Sequence, residues 1–112
     1  MAEETVRYEL RDHVAEVTLN RPQVRNALNP DAYAKLEAAF REAQRDPEVR
    51  CVLLRAEDPA FCSGDDVKEI MAGAAGEATA KRLRRVRPAP TPAAVAVLAC
   101  DRPVIAAVNG FA

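Results

Sequence analysis

Pro59-Ala60-Phe61-Cys62-Ser63-Gly64-Asp65-Asp66-Val67-Lys68-Glu69 is the stretch that decides how this chain folds. The apolar run Cys51-Val52-Leu53-Leu54 stands before it, and Val67, Ile70 and Met71 follow at helical spacing. A strand therefore hands over to a helix through small residues and one glycine. At such a corner backbone N–H groups converge on one point and can meet a developing negative charge. Asp66, with Glu69 three residues on, gives the D-x-x-E capping pattern, so Gly64 and Asp65 fall just outside the first turn. Short glycine corners also occur with no chemistry attached, and this stretch alone leaves an ordinary strand-loop-helix connection equally open.

Upstream, Val49 to Arg55 reads as a strand whose continuous apolar centre is covered on both faces. The helix before it starts at Asn29 as N-cap, with Pro30 in first position and Asp31 where the helix dipole favours an acid. Tyr33, Leu36, Phe40 and Ala43 recur at helical spacing until Asp46-Pro47 stops the helix, and that stripe reads as core. In the preceding loop, Asn20 to Asn29, Arg21 and Arg25 flank a short turn. They are either ordinary surface arginines or the holders of a phosphate or an adenine edge. Two alternating runs, Val6/Tyr8/Leu10 and Ala15/Val17/Leu19, predict a hairpin about Arg11-Asp12-His13, with His13 a solvated turn residue.

Downstream, Gly73-Ala74-Ala75-Gly76 interrupts the helical pattern, and five of the seven residues from Lys81 to Arg87 are basic. The run is either a solvated helix face with Leu83 and Val86 turned inward, or a basic wall for a ligand's phosphates or an acidic neighbouring subunit. Pro88, Pro90 and Pro92 stiffen the chain until Thr91 caps a helix over Ala93 to Cys100, which Arg102-Pro103 ends. Val104 to Val108 reads as a strand too dry to be exposed, and Asn109-Gly110 begins a turn. A buried strand four residues from the last position, Ala112, suggests a chain that is cut off.

A length of 112 residues suits one domain, and 49% hydrophobic with 29% charged residues suits a globular one. The net charge of −1 argues against nucleic acid as the main partner. Cys51, Cys62 and Cys100 form no C-x-x-C pair and have no histidine at metal-ligand spacing, so no metal site is expected. Cys51 and Cys100 read as small core hydrophobes, and a nucleophilic role for Cys62 has no nearby histidine to support it. The first five residues resemble no signal peptide and no run is long enough to span a membrane, which together imply a cytoplasmic protein with no membrane partner.

Three stretches in order now resemble the crotonase (enoyl-CoA hydratase/isomerase) superfamily. They are Asn20-Arg21-Pro22 with Arg25-Asn26-Ala27-Leu28-Asn29, Ala60 to Asp66, and Arg102 to Gly110. The resemblance implies an α/β fold, the N-terminal part of a crotonase-type ββα spiral domain, apparently truncated. It implies that the turn matching Val24, Arg25 and Ala27 lies along coenzyme A, and that Ser63, Gly64, Asp65, Asp66, Val67 and Lys68 bind the acyl thioester. The backbone N–H of Asp65 would be one of two oxyanion-hole donors. The second donor and the glutamates that move protons in hydratases match positions beyond Ala112. No cofactor is implied, coenzyme A being part of the substrate, and the family assembles as trimers or hexamers.

Asp65 stands where the family usually carries Gly or Ala. A carboxylate about 4 Å from an enolate oxygen would cost about 4 kcal/mol at an effective dielectric of ~20. Loss of an oxyanion donor costs about as much, ~2.7–4 kcal/mol. The side chain is therefore expected to point away while its own N–H faces the thioester. The leading expectation is hydration of a 2-enoyl-CoA. The alternatives are another crotonase reaction, such as isomerisation, carbon–carbon cleavage, dehalogenation or thioester hydrolysis, or a non-catalytic acyl-CoA-binding or subunit-interaction module.

Overall fold

Alternation of apolar and polar residues builds the first hairpin. Strand β1 (Val6–Arg11) pairs antiparallel with β2 (Val14–Leu19), Val6 opposite Leu19 and Arg11 opposite Val14. Asp12 and His13 both have positive φ, 50° and 67°, as a two-residue hairpin turn matched to strand twist requires. The computed structural model describes residues 4–70 and 91–112. The expectations for Met71, for the Gly73–Gly76 break, for the basic run 81–87 and for Pro88 and Pro90 lie outside the described residues.

From β2 the chain passes through a short 3-10 turn (Pro22–Val24) into helix α1 (Pro30–Arg45). Asn29 caps α1 by accepting from the Ala32 N–H at 2.8 Å, and the helix stops at Asp46, as the sequence predicts. Strand β3 (Cys51–Ala56) then lies parallel to β2, a crossover made by α1. Helix α2 (Val67–Ile70) follows the glycine corner, and α3 (Pro92–Ala99) begins at Thr91, whose hydroxyl accepts from the Ala94 N–H at 3.1 Å. Strand β4 (Val104–Ala106) closes a four-stranded sheet in the order β1-β2-β3-β4.

The registers put Tyr8, Val17, Leu54 and Ala106 in one row across the sheet, with Leu10, Ala15, Val52 and Val104 in another. On this face α1 buries Ala32, Leu36, Ala39, Phe40 and Ala43, and α3 buries Ala93 and Ala96. Alanine at these positions brings the helices close, and Phe40 fills the centre with no exposed surface.

Three expectations differ from the structure: the cover of β3, the place of Cys51 and the burial of β4. Among the described residues β3 is covered on one face only: Val52 and Ala56 are buried, while Leu53 and Cys51 on the other face are half-buried. Cys51 therefore stands opposite the core, whereas Cys100 and Cys62 pack against it, and all three thiols are free. Strand β4 is exposed along its whole length, contrary to its apolar composition, because among the described residues it has a neighbour only on the β3 side. Composition reports what a strand prefers to touch, and the described residues do not supply that surface on its far side.

Candidate functional site

The loop after β2 is set by two residues with left-handed backbone, Arg25 (φ 53°) and Asn26 (φ 57°). Asn26 is 1% exposed and satisfies three partners at once. Its Oδ1 accepts from the Arg21 N–H at 2.7 Å, and its Nδ2 donates to the carbonyls of Glu57 (2.8 Å) and Ala60 (2.7 Å). One amide side chain thus staples the loop to the corner that follows β3. Asparagine suits the position, since it tolerates left-handed backbone and bonds in both directions.

Arg21 runs inward, not outward. Its guanidinium is buried and donates to the Ala27 carbonyl at 2.6 Å, to Asp66 at 3.1 Å and to Glu69 at 3.3 Å. The reading of Arg21 as a phosphate holder is therefore corrected, because its donors are committed to the frame. Asp66 accepts the Glu69 N–H at 3.1 Å as the helix cap, and Glu69 in turn accepts from Asn29 Nδ2 at 2.6 Å. The Glu69 N–H, followed by Arg21, holds the Asp66 carboxyl below the usual carboxylate range.

This frame aligns the two loops. The Ser63 N–H donates to the Arg25 carbonyl at 3.1 Å, the Leu28 N–H to the Gly64 carbonyl at 2.8 Å, and the Asp66 N–H to the Leu28 carbonyl at 2.9 Å. The last two bonds make a parallel bridge between Leu28 and Asp65. In such a bridge the groups flanking the central residue are spent, and the central residue's own N–H and C=O face the other way. The Asp65 N–H accordingly has no acceptor among the described residues. Gly64 sits at φ +100°, a conformation a side chain rarely adopts, and so permits the turn of direction just before it. Its N–H lies 3.4 Å from Cys62 Sγ.

Pro22, Gln23, Val24 and Arg25 from the first loop, with Pro59 and Ser63 from the second, line a hollow of about 430 Å³. Val24, Arg25 and Ser63, expected from the sequence, thus share one surface, and Gly64 and Asp65 continue it along the chain. Val67 and Lys68 lie exposed on the first turn of α2. Ala27 is buried, with its carbonyl held by Arg21. Asp66 is a frame residue through both its N–H and its carboxylate.

The Asp65 carboxylate accepts a hydrogen bond from the Tyr33 hydroxyl on α1. Burial, then the bond to Asp65 and its charge, push the Tyr33 hydroxyl well above the ordinary tyrosine range, so it stays a donor. Tyr33 was concealed in the sequence because it falls on the apolar stripe, where its ring indeed packs against the core. His13 takes no part. It lies in the hairpin turn, with Nδ1 2.9 Å from the Glu48 carbonyl.

The third stretch singled out in the sequence closes on the second. The Phe61 N–H donates to the Phe111 carbonyl at 2.7 Å, and Gly110 (φ +67°) lies so near Pro59 that a Cβ would meet its carbonyl oxygen at 2.5 Å. Glycine is required there by contact as well as by conformation.

A family model for enoyl-CoA hydratase/isomerase matches residues 9–112. A probable enoyl-CoA hydratase of Mycobacterium tuberculosis is 40% identical over 100 residues, covering 89% of this chain and 37% of that protein. Another from Rhodobacter capsulatus is 39% identical over 113 residues, covering 100% of this chain and 41% of its own. Among solved structures, an enoyl-CoA hydratase of Mycobacterium smegmatis superposes with a TM-score of 0.78 at 36% identity, over 95% of this chain and 40% of that one. A putative enoyl-CoA hydratase/isomerase of Mycobacterium abscessus gives 0.78 at 34% identity, over 94% and 40%. The chain spans about two fifths of the length of these relatives.

Proposed function

The chain belongs to the enoyl-CoA hydratase/isomerase family, with the fold of the N-terminal part of a crotonase-type domain, and on that premise we propose that it acts on acyl-CoA thioesters. Coenzyme A lies along the hollow formed by Val24, Arg25 and Ser63, and the Asp65 N–H donates to the thioester carbonyl oxygen. The observation that carries this reading is the Asp65 amide. It has no acceptor among the described residues, while the Ser63 and Asp66 amides to either side are committed to the facing loop. A preorganised donor aimed at an oxygen that gains charge stabilises the enolate more than the ground-state carbonyl, and so lowers the barrier.

The reaction we propose for the whole protein is hydration of a 2-enoyl-CoA, a lyase-class step of fatty acid metabolism in the cytoplasm. Polarisation of the carbonyl draws electron density from the double bond and opens the β-carbon to water. Within this chain, Arg25 and the Ser63–Asp65 backbone bind and orient. The proton transfers fall to carboxylates that the family resemblance places past Ala112. The substrate needs no separate cofactor, and assembly as a homotrimer or hexamer follows the family resemblance. A second reading is favoured by one observation: every carboxylate bonded within the frame of the site, Asp66 and Glu69, is already committed to Arg21. On that reading the 112-residue chain binds acyl-CoA without turning it over.

Calorimetry of the chain with coenzyme A and with a 2-enoyl-CoA, beside a hydration assay, tests both. Binding of both ligands is expected, together with a downward shift of the infrared carbonyl stretch of the bound thioester. Failure to bind either ligand would remove the proposal, and turnover by the 112-residue chain would place the proton-moving groups inside it.

A further inference from the structure

The family's oxyanion position is here held by a residue whose side chain is itself an anion. Asp65 must offer its N–H to a carbonyl oxygen while keeping its carboxylate from the same space, two tasks only a few bond lengths apart. Among the described residues no lysine or arginine pairs with Asp65, so cationic neutralisation does not solve the conflict there. One contact does address it: the Tyr33 hydroxyl, presented from the first turns of α1, donates to Asp65 Oδ1.

We propose that Tyr33 is a positioning residue of the thioester site, its hydroxyl holding the Asp65 carboxylate off the space opened by the Asp65 amide. The proposal rests on the acyl-CoA reading given above. Three features of the structure make Tyr33 fit for the task. Its ring packs against the core, so the hydroxyl has a fixed origin. The helix that carries it is capped at Asn29, and Asn29 also bonds Glu69 on α2, which ties the start of α1 to the helix that follows Asp65. The Leu28–Asp65 bridge fixes the backbone of Asp65 relative to the same helix start, five residues before Tyr33. Donor and acceptor are thus both anchored, and the bond between them costs little ordering entropy. Burial and the bond to Asp65 hold the Tyr33 hydroxyl well above the ordinary tyrosine range, so it stays a donor.

The role is conditional, and that gives it a signature that packing alone does not share. Tyr33 matters to the thioester only while residue 65 carries a carboxylate. The test compares the full 112-residue chain with Tyr33→Phe, Asp65→Ala and the double variant, using coenzyme A and a 2-enoyl-CoA by calorimetry and the infrared carbonyl stretch of the bound thioester. Tyr33→Phe keeps the ring and removes the donor. It is expected to weaken enoyl-CoA about tenfold more than it weakens coenzyme A, and to return the carbonyl band toward its position in water. In the Asp65→Ala background, adding Tyr33→Phe is expected to change neither quantity. Equal losses for the two ligands, no loss for either, or a Tyr33→Phe effect that persists without the carboxylate would overturn the positioning role. A wild-type chain that binds neither ligand, or that binds both and leaves the carbonyl band unmoved, would instead remove the thioester reading underneath and this inference with it.

Discussion

Arg21 shows how one side chain can be read backwards from sequence. Next to Pro22 and near Arg25 it suggests a surface cation, yet its guanidinium reaches the Ala27 carbonyl, Asp66 and Glu69 and organises both loops. Removing it leaves two carboxylates without their cation, Asp66 keeping only the Glu69 N–H and Glu69 only Asn29 Nδ2 among the described residues. Arg21→Ala is expected to destabilise the fold by more than the ~0.5 kcal/mol typical of a surface substitution, because the bond to the Ala27 carbonyl and both ion pairs are lost together. Urea denaturation measures the loss, and a change below about 0.5 kcal/mol, ordinary for a surface residue, would contradict the assignment. The same site sets an acid dependence. Asp66 has its carboxyl held low in the folded chain, first by the Glu69 N–H and then by Arg21, and the unfolded chain loses that hold. Its contribution is therefore present above the ordinary carboxylate range and fades as pH falls through the depressed folded value. Melting temperature against pH should show this acid limb in the wild type and a flatter one in Asp66→Asn; limbs of equal slope would count against it. Residue chemistry of this kind was half legible. The D-x-x-E cap is written in the sequence, and so is the family position of Asp65. The two bonds Asn26 donates and the hydroxyl bond of Tyr33 are not, because each depends on a partner more than 30 residues away.

At the scale of elements the sequence is a good guide wherever the signal is local. Asn29-Pro30 and Thr91-Pro92 start α1 and α3 where the capping residues say they should, and Asp12-His13 turns the first hairpin. What local signals miss is how one element is fastened to another. Arg102, read in the sequence as part of a helix stop and as the start of the third family-like stretch, donates to the carbonyls of Gln44 (2.9 Å), Asp46 (3.2 Å) and Val49 (3.2 Å). It therefore satisfies acceptors at and beyond the C-terminal end of α1, where intrahelical donors run out, and pins the start of β4 to the connection between α1 and β3. Charge-assisted bonds of this type contribute about 1.5–3 kcal/mol. Arg102→Ala should cost roughly 2 kcal/mol in urea denaturation, with Arg102→Lys recovering only part, since an ammonium cannot span three carbonyls as a planar fork does. Full recovery by lysine would show that charge alone, not the fork, fastens the elements.

For the molecule as a whole, the decisive feature is an asymmetry between the two sides of the sheet. One face is closed by α1 and α3 around Phe40. The other passes from charged residues on β1 and β2, including Arg7, Arg11 and Glu16, to Leu53 and then to Ile105, which is 56% exposed on the edge strand β4. Leu98 at 80% and Phe111 at 79% add to the apolar surface at this end of the chain. Local composition made β3 and β4 read as dry strands, because preference for burial is written in the sequence while the covering surface is not. An apolar edge that no described residue covers invites pairing between molecules, and natural sheets blunt such edges with lysine. Ile105→Lys places a charge on the outer face, opposite the core, in a strand that the described residues pair on one side only. Sedimentation of the wild-type chain is expected to show association that grows with concentration. The lysine variant should show markedly less of it, with a denaturation midpoint within about 0.5 kcal/mol of the parent, as for a surface change. Undiminished association would shift responsibility to Leu98 and Phe111; a large loss of stability would mean that Ile105 contributes to the fold despite its exposure.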